Sequence, residues 1–241
     1  MKNFLITGGL GKTTQPLIEL LVDNYSITVL DIAQYVPKDF SYAKNVRIIN
    51  GDICDIDFLR KTMFNIDIVI HLAVNVIDTE NHRLSFDVNV FGTFNVLKAA
   101  HETGVEKIVM ASSAPVHLDN GLCSPGEDFT YDLTKILQED IASNFSKTFL
   151  MDIMVLRLGH IVDGIKKTDF NGTPLSELEY CKSGWVCRYD VARAFKKAVE
   201  INFTGYHLLH IIGSYQAKER FDIASSKKII GFECLEQFKS Y

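Results

Sequence analysis

The sequence is poor in the cysteine patterns that mark secreted or zinc-binding proteins. It has five cysteines in 241 residues, with no CxxC pair and no histidine at metal-ligand spacing. An odd number of isolated cysteines is typical of reduced thiols and favours neither a disulfide framework nor a zinc site. We therefore expect a cytoplasmic protein without a metal. The cysteines are Cys54, Cys123, Cys181, Cys187 and Cys234.

Excess positive charge and long apolar runs are also lacking. The net charge is -5 and the pI is about 5.8, which leaves no basic surface for nucleic acid or an anionic membrane. No apolar run approaches the roughly 20 residues of a membrane helix, and the first three residues lead into a strand pattern without a signal peptide. We expect neither nucleic acid nor membrane as a partner. With 47% hydrophobic residues and no linker-like segment, residues 1–241 are predicted to form one domain.

The most informative stretch is the first 31 residues. Phe4-Leu5-Ile6 is a short apolar run typical of a buried parallel strand, and residues 16–22 carry apolar side chains at helical spacing. The glycine-rich turn between them allows a close approach to a ligand, whose phosphate the first amides of the helix would attract. Asp31 follows about 20 residues later, where nucleotide-binding units place an acid for the ribose hydroxyls.

This turn is compatible with two families. TGGLGKTT resembles the TGxxGxxG turn of short-chain dehydrogenases/reductases, with Thr14 in place of the third glycine. GGLGKTT, followed by VLDIAQ, also resembles the phosphate loop of the deviant Walker ATPases that partition DNA. However, Ile6 stands where an ordinary phosphate loop has its first glycine, and Thr7 where the deviant form has a lysine. Lys12 alone restores neither form, and the turn by itself leaves both interpretations open.

Four later segments favour the dehydrogenases. Residues 67–73 (DIVIHLA) match the HLA segment beside the cofactor of extended short-chain dehydrogenases, and residues 87–100 (DVNVFGTFNVLKAA) closely resemble the NVxGTxNLLxAA helix of that group. Residues 110–116 (MASSAPV) are similar to its SSxxVYG stretch, and residues 131–135 (YDLTK) are its YxxxK motif. The chain is therefore identified as a member of the extended short-chain dehydrogenases, which include sugar epimerases, dehydratases and uronate dehydrogenases.

The resemblance implies a Rossmann-type α/β fold: a doubly wound parallel sheet with a small C-terminal substrate-binding part from residues 160–188 and 202–241. It implies Tyr131 as the base, Ser113 as the hydroxyl that holds the substrate oxygen, and Lys135 as the cation that lowers the tyrosine pKa. Residues four apart share one helix face. Lowering a tyrosine pKa to near 7 takes roughly 4 kcal/mol, and a charge at about 4 Å supplies that order at an effective dielectric of about 20.

The resemblance also implies a set of cofactor contacts. Asp31 favours NAD because a carboxylate at the ribose hydroxyls repels a 2'-phosphate, while Lys12 in the same loop leaves NADP open. Asp52 either accepts a hydrogen bond from the adenine amino group or caps the helix predicted at 55–64. The residues expected at the cofactor are Gly8, Gly11, Lys12, Thr13, Asp31, Asp52, Ile53, Leu72, Ala73, Asn89, Tyr131 and Lys135.

Four further residues are expected on the substrate side, namely Ser112, His117, His160 and Arg188. His117 and His160 stand where the family has a tyrosine and an asparagine. Arg188 either meets a substrate carboxylate or phosphate or forms a surface ion pair. It lies in WVCRYDVARA, which matches the family's (F/W)VxVxDVARA segment and predicts Asp190 as a helix cap.

Two differences from related enzymes limit the reactions that we expect. Dehydratases of the group carry an acid pair after the catalytic hydroxyl, whereas Ala114 and Pro115 follow Ser113. Sugar-nucleotide epimerases usually have a much longer C-terminal region than the roughly 80 residues that follow the sixth predicted strand. We therefore expect NAD-dependent oxidation of a sugar or sugar acid. The alternatives are a sugar-nucleotide epimerase and a nicotinamide-sensing regulator without turnover.

A homodimer is expected from the same resemblance. Phe86, Val90, Phe94 and Leu97 fall at three- and four-residue steps and form an apolar stripe that is predicted to pack on the sheet. In related enzymes this helix and the Tyr-Lys helix often form a four-helix interface between two copies. The corresponding helices here are predicted at 82–103 and 131–146.

Overall fold

A parallel sheet lies at the centre of the protein, whose computed structural model describes residues 1–33, 46–75, 81–114, 129–178 and 184–241. The main strands are β1 (Asn3–Thr7), β2 (Ser26–Asp31), β3 (Val46–Asn50), β4 (Ile68–His71), β5 (Lys107–Ser113), β6 (Asp152–Leu158) and, after a separate pair, β9 (Tyr206–Ile211). They pair in the order β3-β2-β1-β4-β5-β6-β9, all in parallel. β7 (His160–Val162) and β8 (Trp185–Cys187) form the separate parallel pair.

Helices cover both faces of the sheet. They are α1 (Thr14–Leu21), α2 (Ile56–Thr62), α3 (His82–Ser85), a π-helical stretch (Phe86–Gly92) that continues into α4 (Thr93–Thr103), α5 (Phe129–Phe149), α6 (Arg188–Glu200), a 3-10 turn (Tyr215–Glu219) and α7 (Ala224–Ile230). Along the strands, alternate side chains point to opposite faces. Phe4 therefore packs with α1 and α6, and Leu5 with α2, α4 and α5. The predicted doubly wound Rossmann-type fold is confirmed.

The strand order reverses between β1 and β4. β2 and β3 follow β1 on one side of the sheet, while the chain returns to place β4 on the other side, with Thr7 beside His71. Open α/β sheets bind ligands in the crevice at the carboxyl ends of the strands where this reversal occurs. The glycine turn after β1 and the segment after β4 both lie at that crevice.

The helix before β5 buries a different face from the predicted one. Leu97 is fully buried, but Phe86 and Phe94 are 38% and 39% exposed. The buried face runs instead through Asn89 and Thr93. A π-helical turn holds more residues than an α-helical turn, so a stripe counted at α-helical spacing does not stay on one side. The prediction that these phenylalanines pack on the sheet was wrong.

Asp190 does not cap α6 as predicted. The N-cap is Cys187, and Asp190 lies in the first helical turn, where its carboxylate accepts hydrogen bonds from the amides of Leu235 and Glu236 at 3.0–3.1 Å. Asp190 therefore attaches the C-terminal segment to α6. The sequence from residue 175 to 182 favours a short helix, but residues 175–177 form a turn, residue 178 has no regular structure, and residues 179–182 lie outside the described ranges. No helix within those ranges is both long enough and apolar enough to cross a membrane.

Candidate active site

The glycine turn after β1 is built so tightly that only glycine fits its first position. Gly8 has a φ of +67°, and a Cβ there would lie 2.6 Å from the backbone N and Cα of Ala73. Thr14 takes the place of the third glycine. Its side chain is buried, and its Oγ1 donates a hydrogen bond of 3.4 Å to the Gly8 carbonyl. The turn therefore keeps its close approach to β4 although the third glycine is replaced.

Asp31 is held against this turn at the end of β2. Its Oδ2 accepts a hydrogen bond from the amide of Leu10 at 2.9 Å, and its Oδ1 accepts one from the amide of Ala33 at 3.0 Å. Two backbone donors thus orient the carboxylate beside the glycine turn. This is the position in which an acid can meet ribose hydroxyls in the family's fold.

Asp52 follows β3 and does not cap the next helix. Asp55 does so instead, since its Oδ1 accepts from the amide of Phe58 at 2.9 Å, whereas Asp52 accepts from the amide of Cys54 at 2.8 Å. The capping alternative for Asp52 was therefore wrong. Asp52 is exposed, and the neighbouring Ile53 is buried.

Asn89 makes three hydrogen bonds through its buried side chain. Its Oδ1 accepts from the amide of Asn75 at 2.7 Å, and its Nδ2 donates to the Asn75 carbonyl at 3.0 Å and to Thr134 Oγ1 at 2.9 Å. Asn89 therefore connects the segment after β4 to α5.

A cavity of about 730 Å³ lies above the carboxyl ends of β1, β4, β5 and β6. The predicted residues that line it are Gly8, Gly11, Lys12, Thr13, Leu72, Ser112, Ser113, Tyr131, Lys135 and His160. Other predicted residues lie outside its lining, namely Asp31, Asp52, Ile53, Ala73, Asn89 and Arg188. His117 lies outside the described residues. The glycine turn and the Ser-Tyr-Lys set thus share one cavity.

Lys135 is a buried candidate catalytic residue with a lowered pKa. Its side chain is 3% exposed, and its Nζ donates a hydrogen bond of 2.8 Å to the carbonyl of Ala111 on β5. Burial lowers the pKa of Lys135 to about 8, while the nearby Glu139 carboxylate acts in the opposite direction. The ammonium therefore remains mostly charged at neutral pH, one helical turn from Tyr131 on α5.

The two serines at the end of β5 differ in their surroundings. The Oγ of Ser112 is buried and has no hydrogen-bond partner among the described residues, whereas Ser113 is half-buried. Both line the cavity. A buried hydroxyl without a partner carries a free-energy penalty that a bound polar group would relieve.

Sequence reasoning missed one segment that lines the cavity. Asp169, Phe170 and Asn171 all line it. The Nζ of Lys12 donates to the Phe170 carbonyl at 2.9 Å and lies 5.3 Å from the centre of its ring, which connects the glycine turn to this segment. The polar sequence DFNG is typical of a turn, in which Asp169 accepts hydrogen bonds from the amides of Asn171 and Thr173. Nothing local indicated that this turn meets Lys12, 158 positions away.

His160 and Arg188 have different environments. His160 lines the cavity, and burial lowers its pKa, with the Asp169 carboxylate acting the other way. Arg188 lies away from the lining. Its Nη1 is 3.7 Å from Asp163 Oδ2, and its guanidinium lies over the ring of Tyr189. Across the described ranges, no group of three or more His, Cys, Asp or Glu side chains is arranged to hold a metal ion.

Comparisons with known proteins find a matching family profile and related enzymes. The profile of the 3-beta hydroxysteroid dehydrogenase/isomerase family matches residues 5–132, just over half of the chain. Human sterol-4-alpha-carboxylate 3-dehydrogenase, decarboxylating, is 32% identical in an alignment of 148 positions that covers 57% of this chain and 38% of that enzyme. L-arabinose 1-dehydrogenase (NAD(P)(+)) of Haloferax volcanii is 20% identical in an alignment of 251 positions, gaps included, that covers 96% of each chain. The chain thus matches well under two thirds of the sterol enzyme's length.

A solved structure gives the same fold. UDP-glucuronic acid 4-epimerase from Bacillus cereus, in complex with UDP-glucuronic acid and NAD, superposes with a TM-score of 0.78 at 18% sequence identity. The superposition covers 99% of this chain and 96% of the epimerase. At this identity the likeness concerns the fold.

Proposed function

Because the chain belongs to the 3-beta hydroxysteroid dehydrogenase/isomerase family of extended short-chain dehydrogenases/reductases, we propose that it is an NAD-dependent oxidoreductase of a sugar or sugar acid. The observation that carries this proposal is the shared cavity. It brings the glycine turn at Gly8 together with Ser113, Tyr131 and Lys135. Cofactor site and acid-base group are thus adjacent, as hydride transfer requires.

The residues present fit a dinucleotide. The turn at Gly8 has no room for a side chain, so a pyrophosphate can approach the backbone there. Asp31 is oriented by two amides beside the turn and favours NAD over NADP. Asp52 is exposed past β3, where it can accept from an adenine amino group. When bound, the nicotinamide supplies the hydride acceptor.

Residues of this chain remove the proton of the substrate hydroxyl. Tyr131 removes the proton from the substrate hydroxyl, and Ser113 holds the same oxygen. Lys135 keeps the tyrosine acidic because its positive charge, little screened by water in this buried position, stabilises the phenolate. Lys135 is itself held by the Ala111 carbonyl, so the charge stays in one place.

A small substrate suits this chain best. Residues 160–188 and 202–241 are proposed to form the substrate-binding part, with Ser112, His117, His160 and Arg188 as its candidate polar groups. The L-arabinose dehydrogenase of Haloferax volcanii, which matches nearly the whole chain, supports a free sugar. The sequence after Ser113 has no acid pair, which disfavours dehydration.

Epimerisation of a sugar nucleotide is the second candidate. The superposition covers 99% of this chain and 96% of the Bacillus cereus epimerase, so the expectation that a sugar-nucleotide epimerase has a much longer C-terminal region gives no argument against this function. The same Ser-Tyr-Lys set would serve both reactions, but an epimerase returns the hydride and accumulates no reduced nicotinamide. A nicotinamide sensor would bind the cofactor and convert nothing.

One assay separates these functions. Purified protein and NAD are mixed with free neutral sugars, free uronic acids, UDP-sugars and a 3β-hydroxysterol. We expect reduced-nicotinamide absorbance with a free sugar or sugar acid. Interconversion of a UDP-sugar without that absorbance would establish the epimerase instead, and absorbance with the sterol alone would contradict a sugar substrate. Cofactor binding without any conversion would support the sensor.

We also propose a cytoplasmic homodimer. The exposed Phe86, Phe91 and Phe94 lie on the helical stretch 82–103, and an apolar ring contact at 5.5 Å joins Phe94 to Phe145 of α5. Several large apolar side chains exposed on one helical stretch are typical of an interaction surface. The partner in this proposal is a second copy, paired through helices 82–103 and 131–146. The described cysteines are free thiols, which suits a reducing compartment.

A further inference from the structure

His71 is a buried titratable residue that the proposed chemistry does not use. It ends β4, is 1% exposed and lies between two threonine hydroxyls. Thr7 Oγ1 is 2.7 Å from its Nδ1, and Thr93 Oγ1 is 3.0 Å from its Nε2. Burial, together with the nearby charge of Lys135, lowers the pKa of His71 to about 3, so the imidazole is neutral at working pH.

The hydrogen bonds around Thr93 determine which nitrogen of His71 carries the proton. Thr93 Oγ1 lies 2.6 Å from the Asn89 carbonyl, which can only accept, so the single hydroxyl proton of Thr93 points there. The hydroxyl oxygen must then accept from His71, which places the imidazole proton on Nε2. Nδ1 is left as the acceptor for the Thr7 hydroxyl.

The result is a chain of hydrogen bonds with one direction. Thr7 donates to His71, His71 donates to Thr93, and Thr93 donates to the Asn89 carbonyl. Gln138 of α5 adds a second bond to Thr93 through its side-chain amide. The hydroxyl of Thr93 thus uses its one proton and both of its acceptor positions.

This chain connects two walls of the cavity. Thr7 directly precedes Gly8 in the cofactor turn, whereas Gln138 lies one helical turn beyond Lys135 on α5. Asn89 extends the connection, since its Nδ2 donates to Thr134, whose Oγ1 donates to the carbonyl of Tyr131 at 2.8 Å. The cofactor turn and the helix with the proposed base are therefore joined through β4 and α4.

We propose that His71, as its Nε2–H tautomer, is a positioning residue that sets the glycine turn at a defined distance from α5. This role rests on the proposed function, because it concerns the alignment of nicotinamide and base. Hydride transfer needs reacting atoms about 3–3.5 Å apart, and a misplacement of about 1 Å slows such reactions by about a hundredfold. Turn and base belong to different elements, so their separation depends on the groups between them.

The test uses Thr93→Val with a matched control on the same helix. Thr103 Oγ1 also donates to the carbonyl four residues back, Ala99 O, at 2.8 Å, but it does not contact His71. Thr103→Val therefore removes the same kind of helix bond without breaking the chain, and Thr93→Ser keeps the hydroxyl. We expect Thr93→Val to lower kcat by about 10- to 100-fold while the Kd for NAD changes by less than about threefold. Thr103→Val and Thr93→Ser should retain kcat within about twofold.

A second measurement does not depend on turnover. Nitrogen and carbon NMR shifts of the His71 ring report its tautomer, which we expect to be neutral Nε2–H from about pH 5 to about pH 8. A protonated Nδ1 in a protein that turns over substrate would overturn the positioning role alone, as would an unchanged kcat in Thr93→Val or an equal loss in Thr103→Val. A wild-type protein without any NAD-dependent turnover would overturn the proposed function and the role of His71 in it.

Discussion

The burial of Lys135 serves the proposed chemistry but lowers the stability of the folded chain. The proposed chemistry needs a positive charge next to Tyr131, in a place where water does not screen it. The same burial disfavours the charged form, which is why the pKa of Lys135 falls from 10.5 to about 8. Proteins commonly keep such unfavourable groups only where function requires them.

Replacing this lysine should therefore stabilise the chain and inactivate it. The pKa of about 8 means that the buried charge of Lys135 destabilises the folded state by at most about 3 kcal/mol. Replacing Lys135 removes this penalty but also removes the hydrogen bond to Ala111, which contributes about 1 kcal/mol. We expect Lys135→Met to raise the free energy of unfolding by about 2 kcal/mol at pH 7 without cofactor, and to abolish turnover. Urea unfolding and the reduced-nicotinamide assay measure the two effects.

The increase in stability that we expect for Lys135→Met becomes smaller as the pH rises. The folded state releases the Lys135 proton at a lower pH than the unfolded state, so the burial penalty is fully present below about pH 8 and fades towards pH 10.5. The stability difference between Lys135→Met and wild type should narrow over that range. A variant that is less stable at pH 7, or a gap that stays constant, would contradict this explanation.

Asp31 should determine which nicotinamide cofactor is used. Its carboxylate is oriented by Leu10 and Ala33, and a 2'-phosphate about 4 Å away would be repelled by about 1–4 kcal/mol. We expect wild type to prefer NAD over NADP by more than about tenfold. Asp31→Asn removes the charge but keeps an acceptor for Leu10, so it should reduce this preference. Titration calorimetry with both cofactors tests it, and NADP affinity unchanged in Asp31→Asn would count against the assignment.

Several of these residues could be recognised in the sequence because their signals are local. The YxxxK spacing and the glycine turn are short patterns with a physical reason. Asp190 and Lys12 are different, since their partners lie 45 and 158 positions away in the chain. The role of His71 depends on two hydroxyls from other elements, Thr7 of β1 and Thr93 of α4, and no local pattern indicates it.

The contact between α5 and β6 shows how an element is held in register with the sheet. Glu139 of α5 and Arg157 of β6 form two hydrogen bonds of 2.9 and 2.7 Å, and both side chains are largely buried. This pair anchors the helix with the proposed base one turn beyond Lys135. Its planar, two-point geometry also limits rotation of α5.

Breaking one half of this pair should be more harmful than removing both halves. Glu139→Gln leaves the Arg157 charge buried without a counter-ion, which typically costs about 3 kcal/mol. Replacing both residues by methionine removes both charges and should recover most of that loss. Urea unfolding of the three proteins measures this. A double variant as unstable as Glu139→Gln would show that packing, and not charge, dominates the contact.

Most strands and helices could be predicted from the sequence, except where the α-helix gives way to a π-helix. Apolar runs bounded by glycines and polar turns placed the strands, because buried parallel strands are nearly continuous in apolar residues. The π-helical stretch 86–92 was not predicted, since nothing in the spacing distinguishes it from an α-helix. It also explains why Phe86 and Phe94 face solvent.

The chain as a whole leaves an aromatic surface that a second copy can cover. If helices 82–103 and 131–146 pair across a twofold axis, Phe94 lies within the buried patch. We expect Phe94→Glu to convert the dimer to a monomer in sedimentation experiments. Phe64→Glu is the control, because Phe64 is 71% exposed but follows α2, outside those helices. A wild-type monomer, or equal dissociation in both variants, would contradict the proposed interface.

The shape of the cavity depends on the strand reversal, on the contacts of the helices and on single side chains. One part of its lining could not be predicted. Sequence patterns assigned His160 to the site, but not the segment with Asp169 and Phe170, which also line the cavity. That segment belongs to a polar turn whose position is set by contacts with the distant glycine turn.

The Tyr131→Phe variant tests the proposed chemistry most directly. Reduced-nicotinamide formation from free sugars and sugar acids is measured for wild type and Tyr131→Phe, together with the Kd for NAD of each protein. We expect wild type to reduce NAD with at least one of these substrates, and Tyr131→Phe to be slower by at least about a hundredfold, with its NAD affinity changed by less than about threefold. Equal rates in the two proteins, or no reduced nicotinamide from wild type with any of them, would contradict an NAD-dependent sugar oxidoreductase.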